Sequence, residues 1–272
     1  MSIFLCTACG TSYPDAPGPP ERCLICEDER QYVPASGQSW TSRDKLSDGH
    51  RNAWQQLEPG LLGVQTVPAF AINQRAFLLR TPQGNILWDC IALLDPATEE
   101  VVRGLGGVRA IAVSHPHYYT TMQDWADAFG ATVHLNGADR GWVMRPHPSI
   151  RFWDGESLEL LPGATLIRGG GHFPGGTVLH WAGAADGEGV LMAGDIVQVA
   201  PGARRVSFMW SYPNMMPLPA AEVRQVAARL APPRYERIYG AFMGQDVRRE
   251  GSAIVARSAA RYVELLEGGL PR

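Results

Sequence analysis

Apolar and polar positions change rhythm several times along the chain, and each change predicts an element. Apolar or alternating runs at 63–70, 75–80 and 86–90 are divided by turn residues such as Thr81-Pro82-Gln83-Gly84-Asn85. Consecutive strands without intervening helices predict antiparallel pairing at the start of a sheet. Residues 96–105 read as a helix, with Pro96 in the first turn, Glu99 and Glu100 near the positive end of its dipole, and Gly106-Gly107 as the stop. An apolar run at 108–113 then predicts a buried strand. Met122, Trp125, Ala126 and Phe129 recur at helical spacing within 121–129. Further strands are expected at 131–135, 150–161, 164–167, 177–181, 189–193 and 236–239, and helices at 138–144, 219–230 and 247–266. Two groups of strands, each followed by helices, predict two sheets with helices outside. Upstream, residues 34–60 read as a polar connector with one short helix entered at Ser47.

Composition narrows the class. The chain has 272 residues, 45% hydrophobic and 19% charged, a balance that argues against disorder and leaves room for one large domain and a small appendage. No apolar run approaches membrane-spanning length, and the start shows neither a basic leader nor a long apolar core. A cytoplasmic location is the expectation. A formal net charge of -3 without a block of like charge offers no footprint for nucleic acid or acidic lipid. The expected partner is a small-molecule substrate, with no nucleic acid and no membrane, and with room for a homo-oligomer.

Four of the five cysteines fall early. Cys6, Cys9, Cys23 and Cys26 form C-x2-C-x13-C-x2-C, two knuckles that can each present a pair of thiolates to one tetrahedral ion. The stretch from 11 to 22 holds four prolines and no apolar periodicity, so it needs a staple to fold. Structural zinc is the expectation, in a module resembling a zinc ribbon or a rubredoxin-like knuckle; an iron ion on four sulfurs remains the alternative. Residues 1–35 carry two arginines against five acidic residues, which makes the module a poor phosphate binder. Cys90 sits in an apolar strand and reads as buried and inert.

The buried strand at 108–113 leads into Ser114-His115-Pro116-His117-Tyr118-Tyr119-Thr120. Alternate residues of an extended segment face the same way, so His115 and His117 can share a metal ion. A third histidine, His172, lies in the glycine-rich stretch Gly169-Gly170-Gly171-His172-Phe173-Pro174-Gly175-Gly176, and another apolar run ends on Asp195. His50, His134, His147 and His180 receive no ligand role.

In this order, H-x-H after a strand, then G-G-H-x-P-G, then a strand ending in Gly-Asp resembles the metallo-β-lactamase fold superfamily of metallohydrolases, over about residues 60–268. The resemblance implies an α/β fold, the αββα four-layer sandwich, with the four-cysteine zinc ribbon at its N-terminus. The implied division is a four-cysteine module at 1–35, a connector at 36–60 and the metallo-β-lactamase-like domain at 61–272. The chain also departs from the family pattern H-x-H-x-D-H. Tyr119 stands in place of the aspartate and Thr120 in place of the next histidine, and 238–242 lacks the late histidine ligand. The resemblance therefore implies one metal, Zn or Fe, on His115, His117, His172 and Asp195.

An ion on that set lowers the pKa of bound water to about 7. Metal-bound hydroxide could then attack an ester, thioester, amide or lactone, with Asp195 orienting the water and Tyr119 hydrogen-bonding the developing oxyanion. The aromatic, methionine-rich segment 208–219 follows the Asp195 strand, and Trp210, Tyr212 and Met215 are the expected substrate contacts. Two alternatives stand beside the hydrolase: an iron-dependent, sulfur-dioxygenase-like enzyme, and a non-catalytic binding protein on a degenerate hydrolase fold.

Overall fold

The computed structural model describes residues 2–269, which fall into two compact units. One comprises the chain through Leu135 with Arg140–Phe152; the other comprises Asn136–Asp139 and the chain from Trp153 onward.

The first unit is organised by a seven-stranded sheet whose strands lie side by side in sequence order: Arg51–Glu58, Leu61–Val67, Ala76–Thr81, Gly84–Trp88, Ala110–Ala112, Thr132–Asn136 and Ile150–Trp153. The first four pair antiparallel. Gly84–Trp88, Ala110–Ala112 and Thr132–Asn136 run parallel, so helices must carry the chain back between them. Pro96–Gly104 and Met122–Phe129 do so. The Asp95 carboxylate caps the first, accepting from the Thr98 amide at 2.7 Å. Phe77, Leu78, Leu79, Ile86, Leu87 and Trp88 are fully buried in unbroken runs, the pattern of strands covered on both faces.

The second unit carries a six-stranded sheet in the order Ser157–Leu161, Ala164–Arg168, Thr177–Trp181, Val190–Gly194, Arg237–Gly240, Asp246–Val247. Val190–Gly194 and Arg237–Gly240 are its parallel pair. Helices Ala220–Leu230 and Gly251–Leu266 share one apolar core with it, through Val223, Val226 and Leu230 on one helix, Ile254, Val255 and Ala259 on the other, and Leu191 and Ile238 from the strands. Val223, Val226 and Leu230, like Val255 and Ala259, recur at three- and four-residue spacing, so each helix has one apolar face. The whole is the mixed α/β arrangement of several sheets that the sequence pattern predicts, with the four-cysteine knuckle at the N-terminus.

Several stretches differ from expectation. Within 34–60, the helix is Arg43–Gly49 with Ser42 as its cap, and Arg51–Glu58 is a strand. This strand lies at the sheet edge with half of its residues exposed, so its composition is polar like a connector's. Asn52 ties it inward, donating to Leu93 O at 2.9 Å and Thr98 Oγ1 at 3.0 Å. The run 150–161 is two strands in different sheets, broken at Asp154-Gly155-Glu156. The proline-rich stretch 208–219 forms a short hairpin, Met209–Ser211 against Met216–Pro217, because its prolines fall outside the first strand and at the end of the second. No helix among the described residues is long and apolar enough to cross a membrane.

Candidate functional site

The four early cysteines converge. Their sulfurs lie within 4.8 Å of one another, with Cys6 Sγ 3.5 Å from Cys26 Sγ and Cys9 Sγ 3.6 Å from Cys23 Sγ. A metal–sulfur bond of about 2.3 Å gives a tetrahedron whose sulfur–sulfur edge is about 3.8 Å, so the spacing suits one ion and is far too long for disulfides. All four are free thiols. Hydrogen bonding from Cys26, Cys6 and Cys9 holds the Cys23 thiol well below its ordinary range, while burial pushes Cys9 up and the hydrogen bond with Cys23 pushes Cys26 up. The first knuckle closes through Gly10 N to Cys6 O at 2.8 Å, and Gly10 takes a φ of +79° that a side chain would strain. Sequence reasoning missed Tyr13, whose hydroxyl donates to Cys23 Sγ at 3.4 Å and accepts from the Leu24 amide at 2.9 Å.

The H-x-H stretch is built differently from the extended segment expected. The strand stops at Ala112; His115 is extended at φ -168°, and Pro116–Tyr118 is a 3-10 turn containing His117. Pro116 accounts for the change, since its fixed φ starts a turn and it has no amide to continue a ladder. The two imidazoles still meet, with ring centroids 5.0 Å apart. Both histidines are buried, and Tyr118 packs edge-on against His115 at 4.3 Å. Ser114 anchors this turn twice: its amide donates to Asp89 Oδ1 at 2.7 Å, and its hydroxyl lies 2.9 Å from His115 Nδ1. Asp89, fully buried just after Gly84–Trp88, is another residue of this turn's support that was missed from sequence. Its signal was an apolar strand ending on an aspartate, the same signal that marked Asp195. Cys90 is buried as expected, and burial pushes its thiol well above the ordinary value. Tyr119 is buried at 3% exposure and closes the turn through its amide to Pro116 O.

His172 sits in the tight turn between Ala164–Arg168 and Thr177–Trp181. Two glycine-to-carbonyl bonds fold it: Gly170 N to Gly176 O and Gly176 N to Phe173 O, both 2.9 Å. Gly176 has no room for a side chain, because a Cβ would stand 2.8 Å from Gly170 O and 2.5 Å from Ile196 Cδ1. Gly175 N donates to the buried Asp139 at 2.9 Å, which holds the far side of the turn. Asp195 follows Val190–Gly194 directly and is 5% exposed.

The hairpin that follows touches both residues. His172 Nδ1 lies 2.8 Å from Trp210 O, the Tyr212 ring centroid is 5.4 Å from that of His172, and the Tyr212 hydroxyl donates to Asp195 O at 2.7 Å. Burial, and then the Asp195 charge, push the Tyr212 phenol well above its ordinary range, so it remains a donor. Met215, at the hairpin turn, is 82% exposed.

His115, His117, His172 and Asp195 form the second group of ligand-capable side chains among the described residues: all four are buried, and each offers an atom within 4.8 Å of the others. Three imidazoles and one carboxylate are a donor set suited to zinc or iron, so this group, like the cysteine cluster, could bind a metal ion. Three of the other histidines are engaged elsewhere: His50 and His180 reach Leu46 O and Arg234 O, and His147 Nδ1 lies 2.8 Å from Ser149 Oγ.

No family model matches the sequence. Solved metallo-β-lactamases match it in structure. The HARLDQ-motif metallo-β-lactamase of Cronobacter sakazakii is 21% identical with a TM-score of 0.52, covering 82% of this chain and 96% of that one. VMB-1 is 10% identical with a TM-score of 0.59, covering 79% and 98%. A B3 metallo-β-lactamase with an active-site glutamic acid is 15% identical with a TM-score of 0.54, covering 90% and 93%. These likenesses establish the metallo-β-lactamase fold. In sequence, the uncharacterized protein YmaE of Bacillus subtilis (strain 168) is 44% identical over 272 residues, 99% of each chain. The chain thus belongs to one family with YmaE, built on the metallo-β-lactamase fold.

Proposed function

We propose that the protein is a mononuclear metal-dependent hydrolase of an ester, thioester, amide or lactone. The convergence of His115, His117, His172 and Asp195 carries this reading. His172 suits the role because Trp210 O can only accept, so Nδ1 carries the proton and Nε2 keeps its lone pair for an ion. Zn²⁺ or Fe²⁺ held there would supply Lewis acidity and make hydroxide available at about pH 7. Asp195 orients the attacking water and accepts its proton. Tyr119 donates a hydrogen bond to the oxyanion that develops on the carbonyl oxygen. Trp210, Tyr212 and Met215 of the hairpin contact the substrate. Residues 61–272 carry this chemistry, and the ion on the four cysteines at 1–35 is structural.

The test is turnover of a panel of chromogenic esters, thioesters, anilides and lactones by protein reconstituted with Zn²⁺ or Fe²⁺. Hydrolysis that a chelator abolishes, and that His115→Ala and Asp195→Ala lose, is the expected result. Oxygen uptake with persulfides in place of hydrolysis would overturn the reading in favour of an iron-dependent oxygenase. Inertness toward every substrate in both forms would leave only a binding protein.

A further inference from the structure

The four-cysteine module touches the chain immediately after His-x-His. Ser12 stands three residues beyond Cys9, and Thr120 three residues beyond His117. The Thr120 carbonyl accepts twice from Ser12, from its hydroxyl at 2.9 Å and its amide at 3.0 Å. Both residues are 1% exposed, so water does not compete for these bonds. Ser12 is itself fixed through a bridge to Leu5, and the Cys6 amide donates to the neighbouring Thr11 O at 3.0 Å. Gly10 lies against the same spot: a Cβ there would be 3.4 Å from Thr120 Cγ2 and 3.2 Å from Ala92 Cβ. Thr120 has a φ of +33°, a conformation that a β-branched residue holds only when its surroundings impose it. On the other side, the Thr121 hydroxyl donates to Ala92 O at 3.0 Å, which pins the exit of the loop.

We infer that Ser12 is a positioning residue for the His115–His117 pair, and that an ion on the four cysteines fixes the geometry of the second metal site through the Ser12–Thr120 contact. The knuckle that carries Cys9 also carries Ser12, so ordering the thiolates orders the donor pair that holds Thr120. With Thr120 held, the 3-10 turn bearing His117 keeps one shape. The inference rests on the reading that His115 and His117 hold an ion, and it goes beyond that reading by giving the cysteine module a task at that site.

The experiment uses the full chain with Co²⁺ as the probe, whose thiolate charge-transfer absorption and histidine-site d–d bands report the two sites separately. Ser12→Ala should keep the thiolate absorption and bind the second Co²⁺ on the order of 10-fold more weakly, with altered d–d bands. Ser12→Thr, which retains the hydroxyl, should restore wild-type affinity. On the wild-type protein, coupling is reciprocal, so loading the histidine site should slow hydrogen exchange at the Ser12 amide. A Ser12→Ala chain with wild-type affinity and spectrum, or a Ser12 amide indifferent to loading, overturns the inference alone. A wild-type chain that takes up Co²⁺ only at the thiolates overturns the metal-site reading, and the inference with it.

Discussion

Trp210 presents its main-chain oxygen 2.8 Å from His172 Nδ1. Because a carbonyl cannot donate, this contact fixes both the tautomer and the ring orientation of His172. In the metal-loaded protein, nitrogen NMR should show His172 with its proton on Nδ1. His172→Ala should lower the bound metal from two equivalents to one, the survivor being held by thiolates. A variant that still binds two would remove His172 from the site.

Tyr212 ties the hairpin to the Asp195 segment, donating to Asp195 O at 2.7 Å. Tyr212→Phe keeps the ring against His172 but loses this bond. The expected loss of stability is about 1 kcal/mol, read from the denaturant midpoint, with weaker metal binding at the histidine site. Unchanged metal affinity would confine the hairpin's role to packing.

Asp89 is the anchor of the H-x-H turn. Its buried carboxylate accepts from the Ser114 amide at 2.7 Å, a charge-assisted bond. Asp89→Ala leaves that amide without the carboxylate and should cost about 2–3 kcal/mol, whereas Asp89→Asn keeps an acceptor and should cost less. Equal midpoints for the two variants would contradict this role.

Gly176→Ala tests the glycine-rich turn. The new methyl group would meet two main-chain oxygens, Gly170 O at 2.8 Å and Phe173 O at 3.0 Å, which cannot yield as a side chain could. A destabilisation of about 3 kcal/mol is expected, at the upper end for overpacking. A midpoint within experimental error of wild type would show that the turn yields to a methyl group after all.

His180 gives a pH dependence with a definite sign. Burial lowers its pKa below the ordinary 6.5, opposed by its bond to Arg234 O. In the window between the lowered native value and 6.5, the unfolded chain binds more protons, so stability falls as pH drops below about 6.5. His180→Gln can still donate to Arg234 O but does not titrate. Its melting temperature, measured with saturating metal, should fall less steeply as pH drops below 6.5 than that of the wild type. Parallel curves would contradict the assignment.

What could be read beforehand was what local chemistry dictates. The central strands announced themselves because burial on both faces demands unbroken apolar runs, as at Leu78 and Leu87. The cysteine and histidine clusters were legible because few other roles use those residue types at such spacing. Arg51–Glu58 was hidden because an edge strand that faces water loses the apolar signal. The break at Gly155 was hidden because sheet membership is decided by tertiary pairing that a run of residues does not encode. Pro116 was in plain view, yet its consequence, a turn in place of an extended His-x-His, was not drawn from it. Asp89 and Ser12 act through main-chain atoms of distant residues, contacts that leave no spacing pattern.

Whether three imidazoles and a carboxylate gather one ion decides the rest. Anomalous diffraction from crystals grown with Zn²⁺, recorded on both sides of the zinc edge, tests it most directly. Two anomalous peaks are expected, one among Cys6, Cys9, Cys23 and Cys26 and one within bonding distance of His115, His117, His172 and Asp195. A single peak at the cysteines, with the four other side chains holding no ion, would contradict it.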